Sequence, residues 1–170
     1  TLARQRQIPV MQCRQKGLLA ILGGHERRRL LGKLVQVGIR DYCEEEWELI
    51  CNSDYRVIAY LDKAIKERQF EGETWKHITD EIVQQLPDFV YISFDIDGLD
   101  RKYCPNTGTP VQGGFEVDEI FYLLTKIHES GRKLIGFDLV EIGVGQTDWD
   151  SNVGARILWR LCNLLVKNQS

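Results

Sequence analysis

The chain has 170 residues, enough for one domain that buries roughly 70% of its unfolded surface. It is 43% hydrophobic and 28% charged with a net charge of −3, which gives no electrostatic reason to expect nucleic acid or a membrane surface as partner. No apolar run approaches the ~20 residues that span a bilayer, and the five cysteines (Cys13, Cys43, Cys51, Cys104, Cys162) are odd in number and lack C-x-x-C spacing, which argues against a zinc site or disulfide framework and for reduced thiols in a cytoplasmic protein.

Residues 1–33 carry eight Lys or Arg against one acid, Glu26, and the remaining residues hold 14 basic and 24 acidic groups. The shift predicts a boundary near Lys33, with a basic leader over 1–33 and the main domain over 34–170. The leader could be a nucleic-acid arm, a basic face packed on the acidic remainder, or a segment without defined structure. The first is disfavoured because no aromatic residues interleave its cations. Within it, Gly17 to Leu22 is apolar enough for a short strand or helix, and Gly23-Gly24-His25 is a turn signal. His25 has no partner at ligand spacing and reads as a turn residue rather than a metal ligand.

From Leu34 the pattern is regular. Leu34 to Asp41 reads as a strand, Glu44 to Cys51 as a helix with acids in its first turn, and Arg56 to Tyr60 as a strand. Thr74 caps a helix over Trp75 to Leu86, whose Trp75, Ile78, Ile82, Val83 and Leu86 share one face, and Pro87 stops it. Phe89 to Asp97 is a buried strand. A turn-rich loop comes next, with Cys104-Pro105-Asn106-Thr107-Gly108-Thr109-Pro110 and then Gly113-Gly114. Val117 to Glu129 is a helix with Ile120, Phe121, Leu124 and Ile127 buried, ended by Ser130-Gly131. Lys133 to Ile142 is the last strand, and Asp150 or Ser151 caps a final helix to about Val166. Cys162, among leucines, reads as core. The alternation predicts an α/β fold: a parallel sheet with helices on both faces.

The chemistry concentrates in Ser93-Phe94-Asp95-Ile96-Asp97-Gly98-Leu99-Asp100. Strand alternation would put Asp95 and Asp97 on one face, and Gly98 would turn the chain so that both sit at the strand's C-terminal end. That end is where open α/β sheets bind ligands. At ~4 Å and an effective dielectric of ~20 two carboxylates repel by roughly 4 kcal/mol. A shared proton or a hard divalent cation relieves this. The same pattern serves equally as a cap for a following turn. Asp100 reads as a turn residue, and His77 and His128 as surface residues of helices.

The stretch from Ser93 to Gly114, with Asp95-Ile96-Asp97-Gly98-Leu99-Asp100 and Thr107-Gly108-Thr109-Pro110, resembles the arginase or ureohydrolase family. The likeness continues at Gly136-Phe137-Asp138-Leu139-Val140-Glu141 and, more loosely, from Trp149 to Arg156, so that it covers roughly residues 34–168. It implies a three-layer α/β/α fold of which this chain carries the C-terminal half. It also implies hydrolysis of a guanidino C–N bond with two manganese ions, L-arginine giving L-ornithine and urea. By this resemblance Asp95 and Asp97 are metal ligands. Two ions ~3.5–4 Å apart share such carboxylates and generate hydroxide from bound water. Glu141 is the carboxylate that grips the guanidinium through two parallel N–H bonds. Thr109 lies in the active-site wall, and Asp138 is a structural support.

The family's earlier ligands, a His in a Gly-Gly-Asp-His stretch and an Asp-Ala-His-x-Asp cluster, have no counterpart here, and neither does its proton-carrying His. Gly23-Gly24-His25 lacks the Asp. Arg101 and Gln112 stand where the family often has Pro or an apolar residue. The expectation is a manganese ureohydrolase as the intact member, with weak metal binding and little turnover by these 170 residues alone. The alternatives are a non-catalytic structural or partner-binding module, or a relative acting on agmatine or formiminoglutamate. An incomplete sheet leaves an unpaired edge and uncovered helix faces, so homo-oligomer formation or poor solubility is expected.

Overall fold

The structure is a computed structural model that describes residues 33–169 and, for its backbone only, residues 19–23. Five strands form one sheet in the order β3-β2-β1-β4-β5. They are β1 (Leu19–Gly23), β2 (Lys33–Ile39), β3 (Val57–Leu61), β4 (Phe89–Asp95) and β5 (Lys133–Val140). The helices are α1 (Glu44–Cys51), α2 (Asp62–Phe70), α3 (Trp75–Gln84), α4 (Val117–Glu129) and α5 (Trp149–Gln169). β2 pairs with β3, and β4 with β5, in parallel, as the alternation of strands and helices requires.

β1 is the exception. It pairs antiparallel with both β2 and β4, Ile21 facing Val35 and Ile92. The stretch left open between strand and helix is therefore a strand, and it is central to the sheet. Its C-terminal residue Gly23 pairs with Lys33, at the end of the sheet opposite Asp95. His25 and the rest of the leader lie outside the described residues.

Val90, Ile92 and Phe94 of β4 point into one core, while Tyr91, Ser93 and Asp95 alternate to the other face and are half-buried. That core joins Val35 and Val37 of β2 to Ile65 of α2, Ile78 and Ile82 of α3, Ile120 and Leu124 of α4, and Val153, Ile157 and Leu161 of α5. The Thr74 hydroxyl accepts from the His77 N–H and starts α3. Gly131, at φ 80°, follows the last turn of α4.

Four readings need correction. Cys162 is exposed: on α5 the buried stripe runs through Val153, Ile157 and Leu161, and the next residue points away from it. The final helix begins at Trp149, so Asp150 lies inside its first turn rather than capping it. β4 ends at Asp95, and Ile96–Gly98 form a 3-10 turn, so Asp97 leaves the strand's alternation. His128 is half-buried, with Nδ1 3.1 Å from Asn168 Nδ2. His77 is exposed, its Nδ1 2.9 Å from Glu73.

Candidate active site

The C-terminal ends of β2, β4 and β5 form one rim. At its centre the Asp95 carboxylate caps the 3-10 turn, Oδ1 accepting the Asp97 N–H at 2.9 Å. This turn, not strand alternation, carries Asp97 inward. Asp97 is 4% exposed, and both its oxygens meet the Thr107-Gly108-Thr109 loop. Oδ1 faces the Thr107 hydroxyl, and Oδ2 accepts from the Thr109 hydroxyl at 3.2 Å. Thr107 Oγ1 also lies 2.8 Å from the Glu141 carbonyl; its one proton serves either acceptor at a time.

Glu141 follows β5 directly and is exposed. Its backbone sits at φ 64°, a region that a side chain other than Gly rarely adopts. Its carboxylate leans over the loop: a Cβ at Gly108 would lie 3.1 Å from Glu141 Oε2. Asp95, Asp97, Thr107, Thr109 and Glu141 are thus brought together. Asp138 is not at the rim's mouth; its Oδ1 accepts from Ser93 Oγ at 2.7 Å and ties β5 to β4. Asp100 accepts the Lys102 N–H at 2.9 Å, as a turn residue does.

Three supporting groups were not singled out from sequence. Thr107 forms half of the threonine clamp. Asp150 is buried and holds the loop from α5, accepting the Asn106 N–H and side-chain Nδ2, each at 2.9 Å. Arg40, just past β2, donates to the Asp97 carbonyl and, at 3.3 Å, to that of Gly98. The signal for Arg40 is a cation closing an apolar strand two strands before a carboxylate pair.

Burial pushes Asp95 up to about 7. The Asp97 N–H bond opposes this, the Asp97 and Glu141 charges reinforce it, and the Arg40 charge opposes it. The Asp97 and Glu141 charges thus act on Asp95, and the rim concentrates negative charge. Burial, with the charges of Asp150 and Asp97, holds the Cys104 thiol protonated by raising it to about 12.

A pair of manganese ions needs more donors than this. Among the described residues no group of three or more His, Cys, Asp or Glu side chains is arranged to hold a metal, and both Asp97 oxygens are already met by hydroxyls. Because β1 runs backwards, Leu19 rather than a strand's C-terminal residue lies beside Phe94 at the rim. The described residues alone do not fit a two-ion centre.

A mainly parallel α/β sheet with acids gathered at its carboxyl edge has them where open α/β sheets carry their ligand sites. The sequence profile of the Arginase family matches residues 22–163. The chain belongs to the arginase family. It is 34% identical to the arginase of Coccidioides posadasii over 110 residues, 65% of this chain and 32% of that one. It is 45% identical to arginase-1 of Bos taurus over 109 residues, 64% and 33% of the two chains. The structure of the agmatine ureohydrolase of Thermoplasma volcanium superposes with a TM-score of 0.64 at 26% identity, covering 81% of this chain and 44% of that one. The chain therefore spans about a third of the length of these curated relatives.

Proposed function

We propose that this chain carries the substrate-gripping edge of a ureohydrolase-family enzyme that cleaves a C–N bond of a guanidino or formimino group, L-arginine being the first candidate substrate, agmatine the other guanidino candidate and formiminoglutamate the formimino one. The observation that supports this best is the convergence of Asp97 and Glu141 on one Thr-Gly-Thr loop at the sheet's carboxyl edge. In this reading the Glu141 carboxylate accepts two parallel N–H bonds from the planar guanidinium, which fixes the orientation of the scissile carbon. Thr107 and Thr109 hold Asp97 at a set angle, and the Asp97 N–H holds Asp95. Asp95 and Asp97 would be two carboxylates of a manganese site, to which the described residues alone contribute too few donors.

A second reading has an observation of its own. With no third ligand among the described residues, the chain serves as a non-catalytic module. One experiment separates the two. The full chain is loaded with manganese, its metal content is measured, and urea release from L-arginine and agmatine, or formamide release from formiminoglutamate, is followed. About two ions per chain with turnover that E141Q abolishes supports the enzyme. No bound manganese and no product from any of the three substrates overturns it in favour of the module.

A further inference from the structure

Arg40 is a cation built into the rim, and the proposed chemistry gives it no contact with substrate. Its guanidinium reaches from the end of β2 to the turn that follows β4, and its two Nη groups serve two successive carbonyls, those of Asp97 and Gly98. The Gly98 carbonyl also accepts the Phe115 N–H at 3.1 Å, so the same peptide is held from two sides. Space for the fork is cleared by Gly114: a Cβ there would lie 2.2 Å from Arg40 Nη1 and 2.6 Å from the Leu99 carbonyl. Gly113 does the same for Arg40's neighbour, since its Cβ would stand 2.8 Å from Asp62 Oδ2. Asp62 is buried at the start of α2, and its charge is the strongest attraction that Arg40 feels. Arg40 Nε and Asp62 Oδ1 are both buried without a hydrogen-bond partner. Holding a guanidinium in such a place is unfavourable unless the contacts it does make matter.

We propose that Arg40 is a positioning residue: it clamps the Asp97–Gly98 peptides to the end of β2 and so fixes the direction of the Asp97 carboxylate in the rim. The planar fork is the reason for arginine here. Two adjacent carbonyls need two donors at fixed spacing, and a lysine ammonium offers a point charge to one. Asp97 sits on a three-residue 3-10 turn past the end of β4, and the Arg40 bonds tie that turn to the end of β2. The role as an aid to substrate binding rests on the guanidino-site reading above. The clamp itself does not.

The test therefore has two arms on the full chain, wild type, R40K and R40M. The first is amide hydrogen exchange, free of metal and substrate. R40M should speed exchange of the Asp97 N–H by about tenfold, the effect of losing charge-assisted bonds, with R40K between it and wild type. The core amides of Val90 and Leu124 should stay as they are. Unchanged exchange at Asp97, or equal acceleration at the core amides, overturns the clamp. Should R40M fail to fold, R40K against wild type decides by the same criterion. The second arm is agmatine affinity, which R40M should weaken about tenfold and R40K should partly restore. Equal affinity in R40M and wild type overturns the link to substrate. Should wild type not bind agmatine, L-arginine and then formiminoglutamate take its place in this arm; binding of none of the three overturns the functional reading and leaves the exchange arm to decide the clamp.

Discussion

Asp95 makes the stability of this protein depend on pH in an unusual direction. In an unfolded chain its carboxyl ionises near ~3.9; in the fold, burial and the neighbouring acids raise it to about 7. Between those values the folded state holds a proton that the unfolded state has lost, so stability falls as pH rises. The full loss, reached above about pH 7, is on the order of 4 kcal/mol. Carboxylates held low, such as Glu73 beside Arg68 and Glu116 beside Lys102, act the other way. The D95N variant isolates the Asp95 part. In metal-free urea denaturation, the advantage of D95N over wild type should widen by roughly 3 kcal/mol from about pH 5 to about pH 8. Parallel curves would show that the Asp95 carboxylate is solvated well enough to ionise normally. At this scale the sequence was only half legible. Asp95, Asp97, Thr109 and Glu141 stand in a pattern tied to one chemistry. Thr107, Asp150 and Arg40 act through contacts 10, 44 and 57 residues away in the chain, and residue type alone does not announce such contacts.

Among the elements, β2 carries an irregularity that the rim needs. Its pairing with β3 slips between Val37 and Ile39, and the intervening Gly38 sits at φ 83°. This is a bulge, which bends a strand and redirects the residues beyond it, here Arg40. The Phe115 ring fills the space at Gly38: an added Cβ would lie 2.5 Å from its Cε2. Phe115 is itself fully buried and packs on Trp75 at 5.4 Å between ring centroids. G38A should therefore cost roughly 3 kcal/mol, from backbone strain and overpacking together, read as a lower urea midpoint. Adding F115L should return part of that loss; a G38A midpoint equal to wild type would remove the case for the bulge. Helices with a sharp apolar stripe, α3 and α4, were readable to within two residues. α2 was not, because Asp-Lys-Ala-Ile-Lys-Glu-Arg-Gln-Phe has no such stripe, and its apolar anchor in the core is the single residue Ile65. The direction of β1 was equally hidden, since five apolar residues pair as well either way and only the neighbouring strands decide.

For the molecule as a whole, the question is what covers the surfaces that this chain leaves open. The sheet ends in two edge strands, β3 and β5, each with one side unpaired among the described residues. The segment around and after β5 exposes Ile135, Val140, Ile142 and, at 93%, Val144. α5 turns Leu158, Trp159 and Val166 outward, Trp159 at 69% and Val166 at 71% exposed. Beside it lies a cavity of about 350 Å³ lined by Tyr103, Val117, Trp149, Ile157 and Trp159. A strand edge and an apolar helix face within one C-terminal unit present more unsatisfied surface than isolated hydrophobic side chains do. The expected outcome is self-association, growing with concentration, in light scattering at about 50 µM and below. Substituting W159R and L158E should shift the population towards monomer if α5 is the contact. If both variants scatter as wild type does while a charge placed on β5, I135K, disperses the assemblies, the contact is the strand edge instead. A monodisperse wild-type monomer would overturn this expectation and mean that the apolar face of α5 tolerates water as it stands.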